Sequence, residues 1–263
     1  MKAGLSDALD YQIKLRAANL LREAKHAIAL TGAGISVESG VPAFRGKNAL
    51  WDKYPVEEYA TIQAFVRNPQ KVWGFFKEFY EILNRAEPNT AHIALKSLEE
   101  AGILKSIVTQ NIDNLHQRAG SRNVIEFHGS ASTLECLECG SVVQFEERML
   151  TAPVPTCDCG GLLKPQIVLF GEAIPLSALE AAQHESLLCD LMLVIGTSAQ
   201  VAPASMLPLV AKQRGATIVE MNVEQTYLTG HVADLSVFGS VGLTLPEVAH
   251  LVSGDYIDTP TVQ

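Results

Sequence analysis

Five consecutive apolar residues, Leu191 to Ile195, constrain the fold more than any other feature of this chain. A segment so short, and apolar at every position, lacks the alternation of a half-exposed strand and fits one covered on both faces. Ala27–Leu30, Ile103–Thr109, Val124–Phe127 and Ala216–Met221 read as further strands. Helical patterns occupy Tyr11–Lys25, Thr90–Ala101, Ser177–Leu188 and Pro203–Arg214. This alternation predicts an α/β fold with a mostly parallel, doubly wound sheet. Two stretches break the rhythm. Lys47–Pro88 holds most of the aromatic residues and reads as a helical insertion with its own small core. Ser132–Lys164 holds four of the five cysteines. A length of 263 residues accommodates one large domain carrying such insertions.

The cysteines fall as Cys136-x2-Cys139 and Cys157-x-Cys159, with 17 residues between the pairs. Two thiolate pairs on turns can complete a tetrahedron around Zn²⁺, and four cysteines leave no position open for water, so the expected role is structural. Redox pairs or unligated thiols are the alternative readings. Cys189 stands alone in an apolar stretch and reads as packing. With 20 Lys and Arg against 29 Asp and Glu, the net charge is −9. Such a chain would repel a polyanion, so no direct nucleic-acid partner is expected. No segment reaches the ~20 apolar residues that span a bilayer, so no membrane partner is expected. Met1–Leu21 lacks a basic segment followed by an apolar block. The expected location is cytoplasmic, where clustered thiols suggest metal before disulfide.

Polar residues gather where strands end. Gly32-Ala33-Gly34 follows the first strand, and glycine there allows backbone N–H groups to approach a pyrophosphate. A tight turn needing only backbone freedom accounts for the same residues. Phe44 and Arg45 follow shortly; an Arg beside such a loop can pair with phosphate oxygens, or Phe44 can simply anchor in the core. Gln110, Asn111, Ile112 and Asp113 follow the strand 103–109, where ligands of open α/β sheets bind. Carboxamides and a carboxylate can grip ribose hydroxyls or an amide; a helix cap is the plainer reading. His128 ends the next short strand and is placed to titrate near neutral pH. Gly196, Thr197 and Ser198 follow the strand 191–195, and Asn222 ends the strand 216–221.

Taken in order, GAGISVESGVPAFRG (32–46), TQNIDNLHQRAG (109–120), EFHG (126–129), the two cysteine pairs, KPQIVLFGE (164–172), GTSAQVAP (196–203) and VEMN (219–222) resemble the sirtuins, NAD-dependent protein deacylases. The resemblance implies a Rossmann-like parallel sheet domain (1–46, 98–131 and 165–263). It also implies a smaller domain, formed by a helical insertion (47–97) and a zinc ribbon (132–164). NAD, a co-substrate, and an acyl-lysine protein or peptide would meet between them. By carry-over, Gly32, Ala33 and Gly34 would cradle the pyrophosphate, with Phe44 and Arg45 near ribose and phosphates. Gln110, Asn111, Ile112 and Asp113 would hold the nicotinamide half, and Gly196, Thr197, Ser198, Asn222 and Val241 the adenosine half. Val168, Phe170, Gly171 and Glu172 would pair with the substrate backbone as an added strand. Cys136, Cys139, Cys157 and Cys159 would hold structural zinc.

His128 and Asn111 would be catalytic. The acyl oxygen would attack C1′ of the nicotinamide ribose, and His128 would act as general base towards a ribose hydroxyl. The products would be free lysine, nicotinamide and O-acyl-ADP-ribose, with acetyl the expected acyl group. Ala43 stands where many relatives carry Asp or Thr. Phe76 and Phe79 stand where succinyl-specific relatives carry Tyr and Arg, which predicts acetyl or longer apolar acyl groups. Protein mono-ADP-ribosyl transfer, and an NAD- or ADP-ribose-binding module without turnover, are the competing readings.

Overall fold

The computed structural model describes residues 2–43 and 50–254. Its strands are β1 (Ala27–Thr31), β2 (Leu104–Thr109), β3 (Val124–Glu126), β4 (Gly129–Cys136), β5 (Val142–Gln144), β6 (Leu163–Ile167), β7 (Leu191–Ile195), β8 (Thr217–Asn222) and β9 (Leu235–Phe238). Its helices are α1 (Lys2–Glu23), α2 (Leu50–Lys53), α3 (Val56–Tyr59), α4 (Ile62–Arg67), α5 (Pro69–Arg85), α6 (Thr90–Glu100), α7 (Leu115–Ala119), α8 (Leu176–Leu188), α9 (Leu207–Gln213) and α10 (Val241–Ser253). No helix among the described residues is long and apolar enough to cross a membrane.

Six strands form a parallel sheet in the order β3-β2-β1-β7-β8-β9. This is the Rossmann-like order, with the chain running outward from β1, then returning to β7 on its other side. The two central strands are buried at every position, as their unbroken apolar runs require. Alternate residues serve opposite faces. Ala29, Ile107, Leu193 and Val219 pack with Leu21 of α1, Leu95 of α6 and Leu245 of α10. Ile28, Leu30, Val108, Met192 and Ile218 pack with Ala182 of α8 and Ala211 of α9. Helix α1 begins nine residues before the expected Tyr11. The apolar stripe fades there, and an Asp10–Lys14 ion pair one turn apart (2.6 Å) supports the exposed part instead.

The second body joins α2–α5 to the three-stranded antiparallel sheet β5-β4-β6. The helical insertion does not have a core of its own. Phe65, Trp73, Phe76 and Tyr80 share one cluster with Leu134 and Cys136 of β4 and Leu163 of β6. Polar tips fix the contact: Trp73 Nε1 donates to the Leu163 carbonyl (3.0 Å) and Tyr80 OH to that of Ala131 (2.8 Å). Tyr80 also stacks on Phe145 at 4.0 Å. Residues 90–97, grouped with the insertion from sequence, pack in α6 against the large sheet because Ala91, Ala94 and Leu95 form its apolar face.

Replacing Trp73 by Phe strands the Leu163 carbonyl in this shared core. The expected cost is about 1–3 kcal/mol, read as a lower denaturant midpoint at unchanged slope. An unchanged midpoint would contradict the proposed role of the indole as the tie between the two halves of this body.

Candidate active site

The strand order reverses between β1 and β7, and there the two loops touch. Gly32 N–H donates to the Ile195 carbonyl (3.0 Å), and Gly34 N–H to that of Gly196 (2.8 Å). A Cβ on Gly34 would lie 2.6 Å from the Gly196 Cα, and Gly196 itself has φ +58°. These glycines are thus required by backbone packing as well as by any ligand. After the contact the chain turns through a 3₁₀ segment, Ala33–Ser39.

A cavity of about 750 Å³ opens at this point. Gly32, Ala33 and Gly34 line it with Gln110, Asn111, Ile112, His128, Gly196, Thr197, Ser198, Asn222 and Val241. So do Val168, Phe170, Gly171 and Glu172. Asp113 stands behind the wall, taking the Ser36 hydroxyl (2.6 Å) and capping α7 through Leu115 N–H (3.0 Å). Phe44 and Arg45 lie outside the described residues.

Hydrogen bonds from several strand ends fix the polar wall. Gln110 Nε2 donates to Thr197 Oγ1 (3.1 Å), and Asn222 Nδ2 to the Thr197 carbonyl (3.0 Å). Asn111 Nδ2 donates to Ser36 Oγ (3.0 Å), whose proton in turn goes to Asp113. Asn111 Oδ1 is buried and has no protein donor among the described residues. An acceptor in that state calls for a ligand or water donor.

The half-buried His128 places Nδ1 3.1 Å from the Gln110 carbonyl. A carbonyl only accepts, so Nδ1 carries the proton, and the neutral ring keeps its lone pair on Nε2. Burial pushes the His128 pKa below the usual histidine value, against the opposing pull of that hydrogen bond. The ring is therefore a neutral base at physiological pH.

Sequence patterns did not single out the support beneath this wall. His116 Nε2 lies 2.9 Å from Thr31 Oγ1, and Thr31 donates to Thr109 Oγ1 (2.9 Å). His92 accepts the Asn89 N–H at the start of α6 (3.3 Å) and packs edge-on against His116. The Asn89-x-x-His92 spacing was the available signal, since it places the imidazole at a helix N-terminus. Two carboxylates steady the Asn222 and Val241 side of the cavity. Glu38 accepts from Ser240 and from Gly242 N–H at the start of α10. The buried Glu220 accepts from Thr226, Thr229 and Ser236, which pins the loop after Asn222.

Away from the cavity, the four expected cysteines converge, with all sulfurs within 4.8 Å of one another. Cys136 and Cys159 are 3.5 Å apart and Cys139 and Cys157 3.8 Å. Sulfurs 2.3 Å from a tetrahedral zinc would be separated by about 3.8 Å. Gly140 N–H and Gly160 N–H close the two turns onto Cys136 and Cys157.

The Sir2 family profile matches residues 32–203. An NAD-dependent protein deacylase of Archaeoglobus fulgidus is 46% identical over 233 residues, covering 88% of this chain and 95% of its own. A Sir2 homologue solved with NAD is 45% identical at a TM-score of 0.86, covering 91% of this chain and 93% of its own. A Sir2 protein bound to a myristoylated histone peptide is 39% identical at a TM-score of 0.79, covering 93% and 98%.

The buried imidazoles have a cost that pH reveals. Burial, with His92 alongside, lowers the His116 pKa to about 3; burial, opposed by Asp113, lowers that of His92 to about 4. In the unfolded chain both protonate near 6.5, as ordinary histidines do. Between those values the unfolded state binds more protons, so stability must fall as pH drops below about 6.5. His128 adds to the trend; Glu126, raised by burial, opposes it as one carboxyl against three rings. The denaturant midpoint should decline steadily from pH 7 to pH 5, and a flat profile would exclude neutral burial of this pair.

Proposed function

Given that the chain belongs to the Sir2 family, we propose that it removes acyl groups from lysine side chains of proteins, transferring them to NAD. One water is consumed, and free lysine, nicotinamide and O-acyl-ADP-ribose are the products. One observation carries the reading: a base of fixed tautomer, an unpaired buried carboxamide oxygen and a glycine-lined backbone contact share one cavity at the switch of strand order. When bound, NAD supplies the glycosidic bond that breaks and the ribose hydroxyl that receives the acyl group.

The protein residues divide this work. Gly32 and Gly34, with only the Ala33 methyl between them, keep the wall nearly bare where a pyrophosphate would lie. Thr197, Ser198, Asn222 and Val241 face the adenosine half, and Gln110, Asn111 and Ile112 the nicotinamide half. Asp113 orients Asn111 through Ser36 rather than reaching the ligand itself. Phe44 and Arg45 keep their assignment beside ribose and phosphates from sequence alone. His128 accepts a proton at Nε2. Val168, Phe170 and Gly171 receive the peptide backbone.

Acyl preference follows from the lining. Trp51, Phe75 and Phe79 supply an apolar wall, and no Lys or Arg lines the cavity among the described residues. Phe76, expected beside Phe79, instead packs against Trp73 in the core, and Phe75 takes the cavity side of α5. A succinyl carboxylate would enter such a wall unpaired, at considerable cost. Acetyl and long apolar chains carry no charge, and a relative holding a myristoylated peptide points the same way. The cysteine cluster has the donor set and spacing of structural zinc. Paired thiols held as metal ligands suit a reducing cytoplasm.

Incubation with NAD and acetyl-, myristoyl- or succinyl-lysine peptide, followed by mass spectrometry, should give O-acyl-ADP-ribose from the first two and little from the third. With labelled NAD, label appearing on protein instead would favour ADP-ribosyl transfer. His128→Ala should still bind NAD but lose turnover by about 10²–10⁴-fold; near-normal turnover would defeat its assignment as base. Elemental analysis of the purified protein should return one zinc per four-cysteine cluster. Metal-free protein that keeps its thermal stability would overturn the structural role.

A further inference from the structure

Lys164 is 5% exposed, which is unusual for an ammonium group, since lysine is rarely buried without partners. It projects from β6, at the start of the segment that reaches the cavity. Its Nζ donates to the Ile167 carbonyl (2.8 Å), the Pro165 carbonyl (3.1 Å) and Glu172 Oε2 (3.0 Å). All three ammonium protons are thereby used. The same Glu172 oxygen accepts Leu169 N–H (2.8 Å), and Glu172 N–H returns to the Leu169 carbonyl (3.0 Å). The carboxylate is thus turned back onto its own loop.

The loop so tied has other fixed points. Val168 N–H bonds to the His128 carbonyl (2.9 Å). Phe170 N–H reaches the Ala60 carbonyl (2.9 Å), and its own carbonyl accepts Ile62 N–H (3.1 Å). Gly171 sits at φ +90°, a conformation that glycine holds without strain. Every residue from 168 to 170 is therefore anchored; Leu169 buries its side chain in the second core, and its backbone N–H and carbonyl are both held by Glu172.

We infer that Lys164 and Glu172 form a buried ionic clamp that fixes the 168–171 segment as a template for the incoming peptide, and that both are positioning residues. The inference rests on the deacylase reading above, which gives that segment its substrate. A chain adding to a strand gains from main-chain bonds only where the template is already ordered. Glu172 lines the cavity beside that segment, and the buried Lys164, which does not line it, holds the carboxylate from behind.

The test combines steady-state kinetics with calorimetric binding of an acetyl-lysine peptide. The variants are Glu172→Gln, Glu172→Ala, Lys164→Met and Glu172→Gln with Lys164→Met. Glu172→Gln keeps an acceptor for Leu169 N–H and removes only the charge, so it isolates the ion pair and spares the fold. Peptide KM should rise about tenfold for Glu172→Gln and further for Glu172→Ala, while KM for NAD moves less than about twofold. The double variant should be no worse than the poorer single one, because the two groups act as a unit. Unchanged peptide KM in Glu172→Ala, or peptide and NAD KM rising together, would overturn the clamp. Wild-type protein that binds the peptide without turnover would defeat the deacylase reading alone, and loss of that binding in the variants would still support the clamp. Wild-type protein that binds no acyl peptide would overturn both.

Discussion

The site depends on two backbones touching. Gly34 and Gly196 approach so closely that neither tolerates a Cβ, and the contact is sealed by the hydrogen bond between them. Strands β1 and β7 are neighbours in the sheet, yet their chains leave in different directions. The loop after β1 is therefore bent across the end of β7 and tightens into a 3₁₀ turn. That turn brings Ser36 to Asn111 and Asp113, and Glu38 to the start of α10. One steric requirement thus sets the position of residues on β1, β2 and α10 together.

The polar groups beneath this contact hold the wall rather than serve a ligand. Ser36 and Asp113 bond to each other and to Asn111 and Leu115 N–H, and Thr31 joins Thr109 to His116. Such a network is stable only when nearly complete, because an unpaired buried dipole is costly in a low dielectric. Among the described residues, Asn111 Oδ1 and His116 Nδ1 are its unpaired members, and the buried Ser121 hydroxyl is unpaired as well. Only Asn111 borders the cavity, so its deficit is available to a bound molecule. A preorganised acceptor of this kind costs no rearrangement when the ligand arrives.

Much of this was legible in the sequence, for identifiable reasons. The wholly apolar run 191–195 required burial on both faces, and the sheet places it at the centre. The cysteine spacing required convergence, and the sulfurs converge. What could not be read were contacts set by long-range packing. Whether Phe75 or Phe76 faces the cavity depends on the rotation of α5 against β4 and β6, and both residues are equally apolar. The shared core of the second body was hidden because its halves lie about fifty residues apart, as Tyr80 and Ala131 do. Glu172 read as a group for substrate and does line the cavity, but no signal in the sequence pointed to the buried Lys164 that pairs with it. Start points such as that of α1 escaped because exposed helix carries no apolar period.

His128 lies on a short segment that both bodies fix. Strand β3 of the large sheet ends at Glu126 and β4 of the small sheet begins at Gly129, leaving two residues between them. Phe127 is fully buried, and its N–H bonds to the Thr109 carbonyl (2.9 Å), which ties the segment to the large sheet. Gly129 pairs with Ile167 of β6, which ties it to the small one. Between these anchors, the imidazole takes its tautomer from the Gln110 carbonyl, and the His128 carbonyl receives the Val168 N–H. An imidazole held this way cannot shift towards Gln110 or towards Val168 without straining a bond to the other. The link between β3 and β4 therefore sets the geometry between the two sides of the cavity, and the larger elements on each side serve to keep it taut.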